Sequence, residues 1–170
     1  MDEILNNFRE TQRIKGLQLA ADSDVLDLSP IDDQHYIATF ACKGLVRDAS
    51  GEVRVHDQFG VGIRFADDYL RRVNPAEVLT WLGPNEIWHP NIGPPFVCLG
   101  TIVPGTPLVD LLHRCFEVIT YQNVTMREDD ALNHSACAWA RRNRERIPVD
   151  SRPLKRRALQ TSIEVAQVSP

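Results

Sequence analysis

No apolar stretch of this 170-residue chain approaches the roughly 18 residues a helix needs to cross a bilayer. The first ten residues, MDEILNNFRE, are acidic and carry no apolar signal core. The expected setting is therefore a soluble protein of the cytoplasm, with no membrane partner. The four cysteines, at 42, 98, 115 and 137, form no CxxC pair, and their separations of 56, 17 and 22 residues match no common zinc pattern. His35, His56, His113 and His134 make no metal motif either. A disulfide framework does not suit a cytosolic chain of this size, so each cysteine is read as a free thiol. Lysine is scarce: Lys15, Lys43 and Lys155 stand against 16 arginines. Nine glycines and eleven prolines are too few for a collagen-like or disordered chain.

What is present suits one folded unit. Apolar residues make up 43%, enough for a core, and the net charge of −4 argues against a general nucleic-acid binder. The charge is uneven. Residues 1–40 hold eight acids against Arg9, Arg13 and Lys15, while residues 141–157 hold eight bases against Glu145 and Asp150. The basic end reads as a solvated helix end plus tail, or as a docking surface for a partner. Residues 1–147 are expected to form the domain and 148–170 a C-terminal tail. The tail offers little apolar periodicity, so deleting 151–170 is expected to leave the fold intact.

Along the chain, Ile4, Leu5, Phe8, Ile14, Leu17 and Leu19 fall at helical spacing over 2–20, with Gly16 a weak point in the second half. Segment 21–34 is acidic and ends in a turn signal, Ser29-Pro30. The period then changes. Tyr36 to Cys42 is rich in β formers, Glu52 to His56 alternates, Phe59 to Phe65 gives a further strand, and Val78 to Leu82 a short one. Tight connections make a four-stranded antiparallel meander the simplest topology. Gly60-Val61-Gly62 is no phosphate loop, since no suitable helix follows it. Residues 83–107 carry six prolines and four glycines, which forbid a long helix or central strand, yet hold Trp88, Ile92, Phe96, Val97, Leu99 and Ile102. An apolar, irregular segment of this length is often functional. Thr106 and Pro107 signal a helix whose apolar face is Leu108, Leu111, Leu112, Cys115, Phe116 and Ile119. Thr125, Asp129 or Asp130 caps a last helix carrying Leu132, Ala136, Trp139 and Ala140. The pattern is an α+β domain: an N-terminal helix, an antiparallel sheet, the irregular segment, then C-terminal helices.

Cys98 lies inside the irregular segment, between Val97 and Leu99, where a stiff backbone suits an exposed nucleophilic thiol or equally a buried strand-end cysteine. His89-Pro90-Asn91 lies seven to nine residues upstream. The Asn91 amide is a neutral donor able to stabilise an oxyanion. His89 reads as a general base for Cys98 or as a structural hydrogen-bonding group. Cys42, Cys115 and Cys137 fall in strand or helix patterns and are expected in the core.

The run IWHPNIGPPFVCLG (87–100) resembles the active-site segment of the ubiquitin-conjugating, or E2, family: His-Pro-Asn-Ile, a short linker, then Cys-Leu. GVGIRFADDYLRRVNP (60–75) is similar to that family's third strand and following turn, and DDALN (129–133) to its Asp-x-Leu-Asn segment. The likeness covers roughly residues 1–145 and implies the family's UBC-like fold. It implies that Cys98 accepts a ubiquitin-like protein as a thioester from an E1-like activating enzyme and passes it to an amine-bearing target. ATP would be consumed by the activating enzyme, and no cofactor or metal by this chain. By the same resemblance Asn91 orients the loop or stabilises the oxyanion, Asp130 orients the amine, and His89 and Pro90 are structural. The linker from Asn91 to Cys98 is one residue shorter than in typical eukaryotic members, and Val103-Pro104-Gly105-Thr106-Pro107 stands where a Trp and a Pro usually follow. Both features resemble divergent bacterial relatives found in antiphage conjugation systems. A non-catalytic module of the same fold, binding a ubiquitin-like protein or scaffolding a complex, is the alternative.

Overall fold

In a computed structural model the fold is described for residues 2–158. Helix α1 (Glu3–Ala21) starts at Asp2, whose side chain accepts from the Ile4 and Leu5 amides at 3.2 and 3.4 Å. It buries Leu5, Arg9, Gln12, Gly16 and Leu19, residues three or four apart that share one face. Gly16 does not weaken the helix; it lets another helix come close. A Cβ there would lie 2.7 Å from the Leu108 side chain and 2.9 Å from that of Leu28.

The chain then forms β1 (Leu26–Pro30), β2 (His35–Phe40), β3 (Gly44–Arg47), β4 (Val53–His56) and β5 (Phe59–Arg64), followed by a turn of helix α2 (Pro75–Val78) and β6 (Leu79–Gly83). The expected four-stranded antiparallel sheet is present, in the order β1-β2-β5-β6, with two changes of membership. The stretch read as an acidic connection contains β1. Leu26 and Leu28 face the core while Asp27 and Ser29 face out, so the acids occupy the solvent side of an edge strand, and Pro30 ends it. The alternating Glu52–His56 stretch instead pairs with β3 in a separate hairpin. None of the β4 residues is fully buried, so β4 has no core face to place in the main sheet.

The register sets Tyr36 opposite Ile63, Ala38 opposite Val61, Val61 opposite Trp81 and Ile63 opposite Leu79. These inward side chains join Leu108, Leu111, Leu112, Cys115, Phe116 and Ile119 in one buried cluster. The last six belong to α3 (Leu108–Ile119), whose apolar face is as its spacing implies. Its start is not. Thr106 does not cap it, because its hydroxyl accepts from the Val103 amide at 3.2 Å and donates to the Val103 carbonyl at 2.7 Å. The Leu108 amide is satisfied from α1 instead, by Gln12 Oε1 at 2.9 Å. Arg9, also on the inner face of α1, donates to the Phe65 carbonyl at 2.8 Å and to Asp67 at 2.9 Å.

Residues between β6 and α3 are irregular, as the prolines require, save a minimal hairpin of β7 (Ile92–Gly93) and β8 (Phe96–Val97). After a single 3-10 turn at Glu128–Asp130 comes α4 (His134–Arg142). Its cap is Asn133, accepting from the Ala136 amide at 2.9 Å, rather than Thr125, Asp129 or Asp130.

The segment read as a tail begins as a docked strap. Leu154 is 2% exposed and belongs to the main core cluster. Asp150 accepts from the Lys43 amide at 3.0 Å and pairs with Arg152 at 2.7 Å. Arg152 also donates to the Ala41 carbonyl at 3.0 Å, and the Arg156 amide to that of Asp22 at 2.8 Å. The reason is local: one leucine fills a core site while the charges around it bond backbone at the ends of α1 and β2. Deleting 151–170 would therefore remove a core side chain and backbone contacts, and a cost in stability is the outcome these contacts predict. Residues 159–170 of that segment lie outside the described residues. No helix among the described residues is long and apolar enough to cross a membrane.

Candidate functional site

Cys98 follows β8 directly and is the one partly exposed cysteine; Cys42, Cys115 and Cys137 are buried. Burial pushes the Cys42 and Cys115 thiols up to about 12 and raises that of Cys137 as well. These three stay protonated and shielded, as their apolar settings imply.

The cysteine is held through Asn91. The Cys98 amide donates to the Asn91 carbonyl at 2.8 Å, and Asn91 Nδ2 donates back to the Cys98 carbonyl at 3.3 Å. On its other side Asn91 Oδ1 accepts from the Thr125 amide at 2.9 Å. One neutral side chain thus ties the cysteine loop to the segment between α3 and α4.

His89 is fully buried. Its Nδ1 accepts from the Asn91 amide at 2.9 Å, so in the neutral ring the proton sits on Nε2. Among the described residues that Nε2 has no well-formed hydrogen bond, and the nearby Val118 carbonyl favours the charged ring less than burial opposes it. Burial dominates and pushes the histidine down to about 3. The ring packs against Tyr121 at 4.2 Å between centroids, and the Tyr121 hydroxyl donates to the Trp88 carbonyl. Of the two readings open for His89, the structural one fits. The lone pair a general base would need already holds the Asn91 amide.

Pro90 is buried, and its carbonyl accepts from the Leu132 and Asn133 amides at 2.9 and 3.1 Å. Gly93 lies so near that a Cβ on it would meet the Leu132 Cβ and carbonyl oxygen at 3.4 Å. The two stretches singled out in the sequence, 89–98 and 129–133, are therefore hydrogen-bonded to each other across some forty residues of chain.

Asp130 is the exception. It is exposed, and its carboxylate contacts Arg127 Nε at 3.3 Å, while Arg127 also holds Asp129 at 2.8 Å. Among the described residues no polar contact joins Asp130 to Cys98 or Asn91.

Several supporting residues were not foreseen. Arg114 of α3 donates to the Leu99 and Thr101 carbonyls, the latter at 2.8 Å, clamping the chain just after the cysteine. It shares the polar side of α3 with Asp110, His113 and Glu117, so only its being the one arginine of that helix marks it. Thr125 acts through its backbone, and Tyr121, in a left-handed turn with φ 61°, through its ring on His89 and its hydroxyl to the Trp88 carbonyl; no local sequence pattern marks either. Phe96 is half exposed beside the site, and Leu132 and Val103 are also exposed. Among the described residues no three His, Cys, Asp or Glu side chains gather as a metal site.

The arrangement offers a partly exposed cysteine on a loop fixed at several points, an amide with a second N–H to spare, and a nearby segment carrying an exposed carboxylate. No protein-family model matches the chain, and no curated protein matches it.

Proposed function

We propose that this chain is an E2-like conjugating acyltransferase with a UBC-like domain, acting in a bacterial antiphage conjugation system. The observation that carries the reading is the thiol pattern: of four cysteines only Cys98 is accessible, and it sits on the loop that the His89-Pro90-Asn91 turn immobilises. The Cys98 thiolate attacks the thioester carbonyl joining a ubiquitin-like protein to its E1-like activating enzyme. A tetrahedral oxyanion forms and collapses, the activating enzyme's thiolate leaves, and the acyl group rests on Cys98. An amine of the target then adds to the new carbonyl. The Cys98 thiolate leaves, an amide remains, and the amine's proton passes to solvent. Asn91 donates one Nδ2 hydrogen to the Cys98 carbonyl, which leaves the other for the oxyanion. Asp130 orients the amine. ATP is consumed only in the earlier activation.

The test mixes the full chain with a candidate ubiquitin-like protein, an activating enzyme demonstrated to charge it, and ATP, and takes intact masses with and without thiol reductant. An adduct of modifier minus water, lost with reductant and absent in Cys98→Ala, is the expected result. No adduct, despite charged activating enzyme, overturns the reading.

One observation favours a second reading, a non-catalytic module that binds a ubiquitin-like protein. Among the described residues no basic side chain bonds Cys98, and Asp130 is already paired with Arg127. Iodoacetamide separates the two. Rapid alkylation of Cys98 alone in the folded protein supports the transferase, and reaction as slow as that of the buried thiols supports the module.

A further inference from the structure

A cleft of about 520 Å³ opens between the β3–β4 hairpin and α4, within the roughly 300–1,000 Å³ typical of small-molecule sites. Its walls include Arg47 and Glu52 from the hairpin, Trp88, and Trp139, Arg142 and Arg146 from α4 and the turn after it. We propose that this cleft binds a small phosphate monoester.

Two of the three guanidiniums are already held in place. Arg47 lies over the Trp88 ring at 5.0 Å and donates from Nε to the Gly51 carbonyl at 3.2 Å. Arg146 lies over the Trp139 ring at 5.2 Å and donates to the Val53 carbonyl at 3.3 Å. Stacking on indole fixes a guanidinium while leaving edge N–H groups for an oxyanion, so little side-chain freedom remains to be lost on binding. None of Arg47, Arg142 and Arg146 has a carboxylate partner among the described residues, whereas Arg54 on the same hairpin is neutralised by Asp48 at 2.7 Å. Trp88 is 8% exposed, and among the described residues its Nε1–H has no acceptor.

Charge selects the ligand class. Three arginines against Glu52 leave an excess of two positive charges in the lining. A phosphate monoester at neutral pH carries about −1.5 to −2 and offers three acceptor oxygens, whereas a carboxylate supplies half the charge. The volume leaves room for an organic group beyond the phosphate. This site is separate from Cys98, and its occupancy does not depend on the acyl-transfer reading.

The experiment titrates the full chain with inorganic phosphate, adenosine monophosphate and acetate at matched ionic strength, following tryptophan fluorescence and heat of binding. Phosphate and adenosine monophosphate are expected to give saturable binding and acetate none. Arg142→Gln, at an exposed position, is expected to weaken phosphate binding about tenfold or more, the loss of one charge-assisted contact, with the melting temperature unchanged. A non-saturable response to both phosphates overturns the proposal. So does an equal response to acetate, or an Arg142→Gln protein that binds phosphate as the parent does.

Discussion

Replacing Leu154 by alanine tests whether the C-terminal strap is part of the fold. Leu154 is 2% exposed and sits in the main cluster with α3 and the sheet, so truncation removes buried contacts and leaves a void. A fully enclosed Leu→Ala site costs about 2–5 kcal/mol. Leu154, however, borders an open groove of about 590 Å³ between the strap and α3, which it shares with His113, Phe116 and Thr120. Water and neighbouring side chains can refill part of the space, which places the cost in the lower half of that range, about 2–3 kcal/mol. For a chain of this length that corresponds to a drop in melting temperature of about 4–12 °C. Urea denaturation followed by far-UV circular dichroism should show a lower midpoint at unchanged slope, because the unfolded surface exposed is nearly the same. A protein that melts within 2 °C of the parent would refute the claim that the strap contributes to stability, and would return residues 148–158 to the status of a tail.

Two further outcomes follow from buried polar groups. Stability should fall in two stages on acidification. His89 is held neutral with its pKa lowered from 6.5 to about 3, so below about pH 6.5 the unfolded chain takes up a proton that the folded one refuses. Asp150, lowered from 3.8 to about 2 by Arg152 and the Lys43 amide, adds about 2 kcal/mol that is present above its unfolded pKa and lost between about pH 4 and 2. Urea midpoints that stay flat from pH 7 to 5 would contradict the first stage, and an Asp150→Asn protein with the parent's profile below pH 4 would contradict the second. Gln12→Leu should cost about 1–3 kcal/mol, because it leaves the buried Leu108 amide without an acceptor at the start of α3; an unchanged urea midpoint would show that the amide finds another partner.

Periodicity made α3 legible, since its seven buried residues recur at three and four, whereas the buried face of α1 is Leu5, Arg9, Gln12, Gly16 and Leu19, and Ile4, Ile14 and Leu17, which supplied its apolar spacing, are exposed. It failed where one apolar side chain carries a whole contact. Leu154 lies among Arg152, Lys155 and Arg156, and no window-based reading marks it as core. Strand β1 was obscured because its outward positions hold Asp27 and Ser29, which in sequence resemble a turn. Helix starts were misplaced for a different reason. The Leu108 amide is satisfied by Gln12, 96 residues earlier, and no local motif encodes that distance. In the candidate site, His89, Asn91 and Cys98 were legible because they lie within ten residues of one another. Their tethers to Thr125, Leu132 and Asn133 run mostly through backbone amides, which every residue type carries alike.

Those tethers divide the candidate site into a fixed part and a free part. Asn91 cannot turn toward solvent without breaking its bonds to Thr125 and Cys98, and His89 cannot turn without releasing the Asn91 amide into a buried space. Each is therefore fixed in the position it already holds. Asp130 differs in kind. It lies just ahead of the Leu132 and Asn133 amides that bond the Pro90 carbonyl, so its backbone is anchored to the cysteine loop, while its carboxylate meets only an exposed arginine. A surface ion pair of that exposure is screened by salt and holds its partner weakly. Arg127 also keeps Asp129 when Asp130 departs, so the guanidinium is not left bare. The Asp130 carboxylate is thus the exposed and weakly held group of the constellation, beside a cysteine loop that is fixed. Under the proposed acyl transfer, that division would hold the acyl group steady on Cys98 and leave an exposed acid free to meet amines of varying shape.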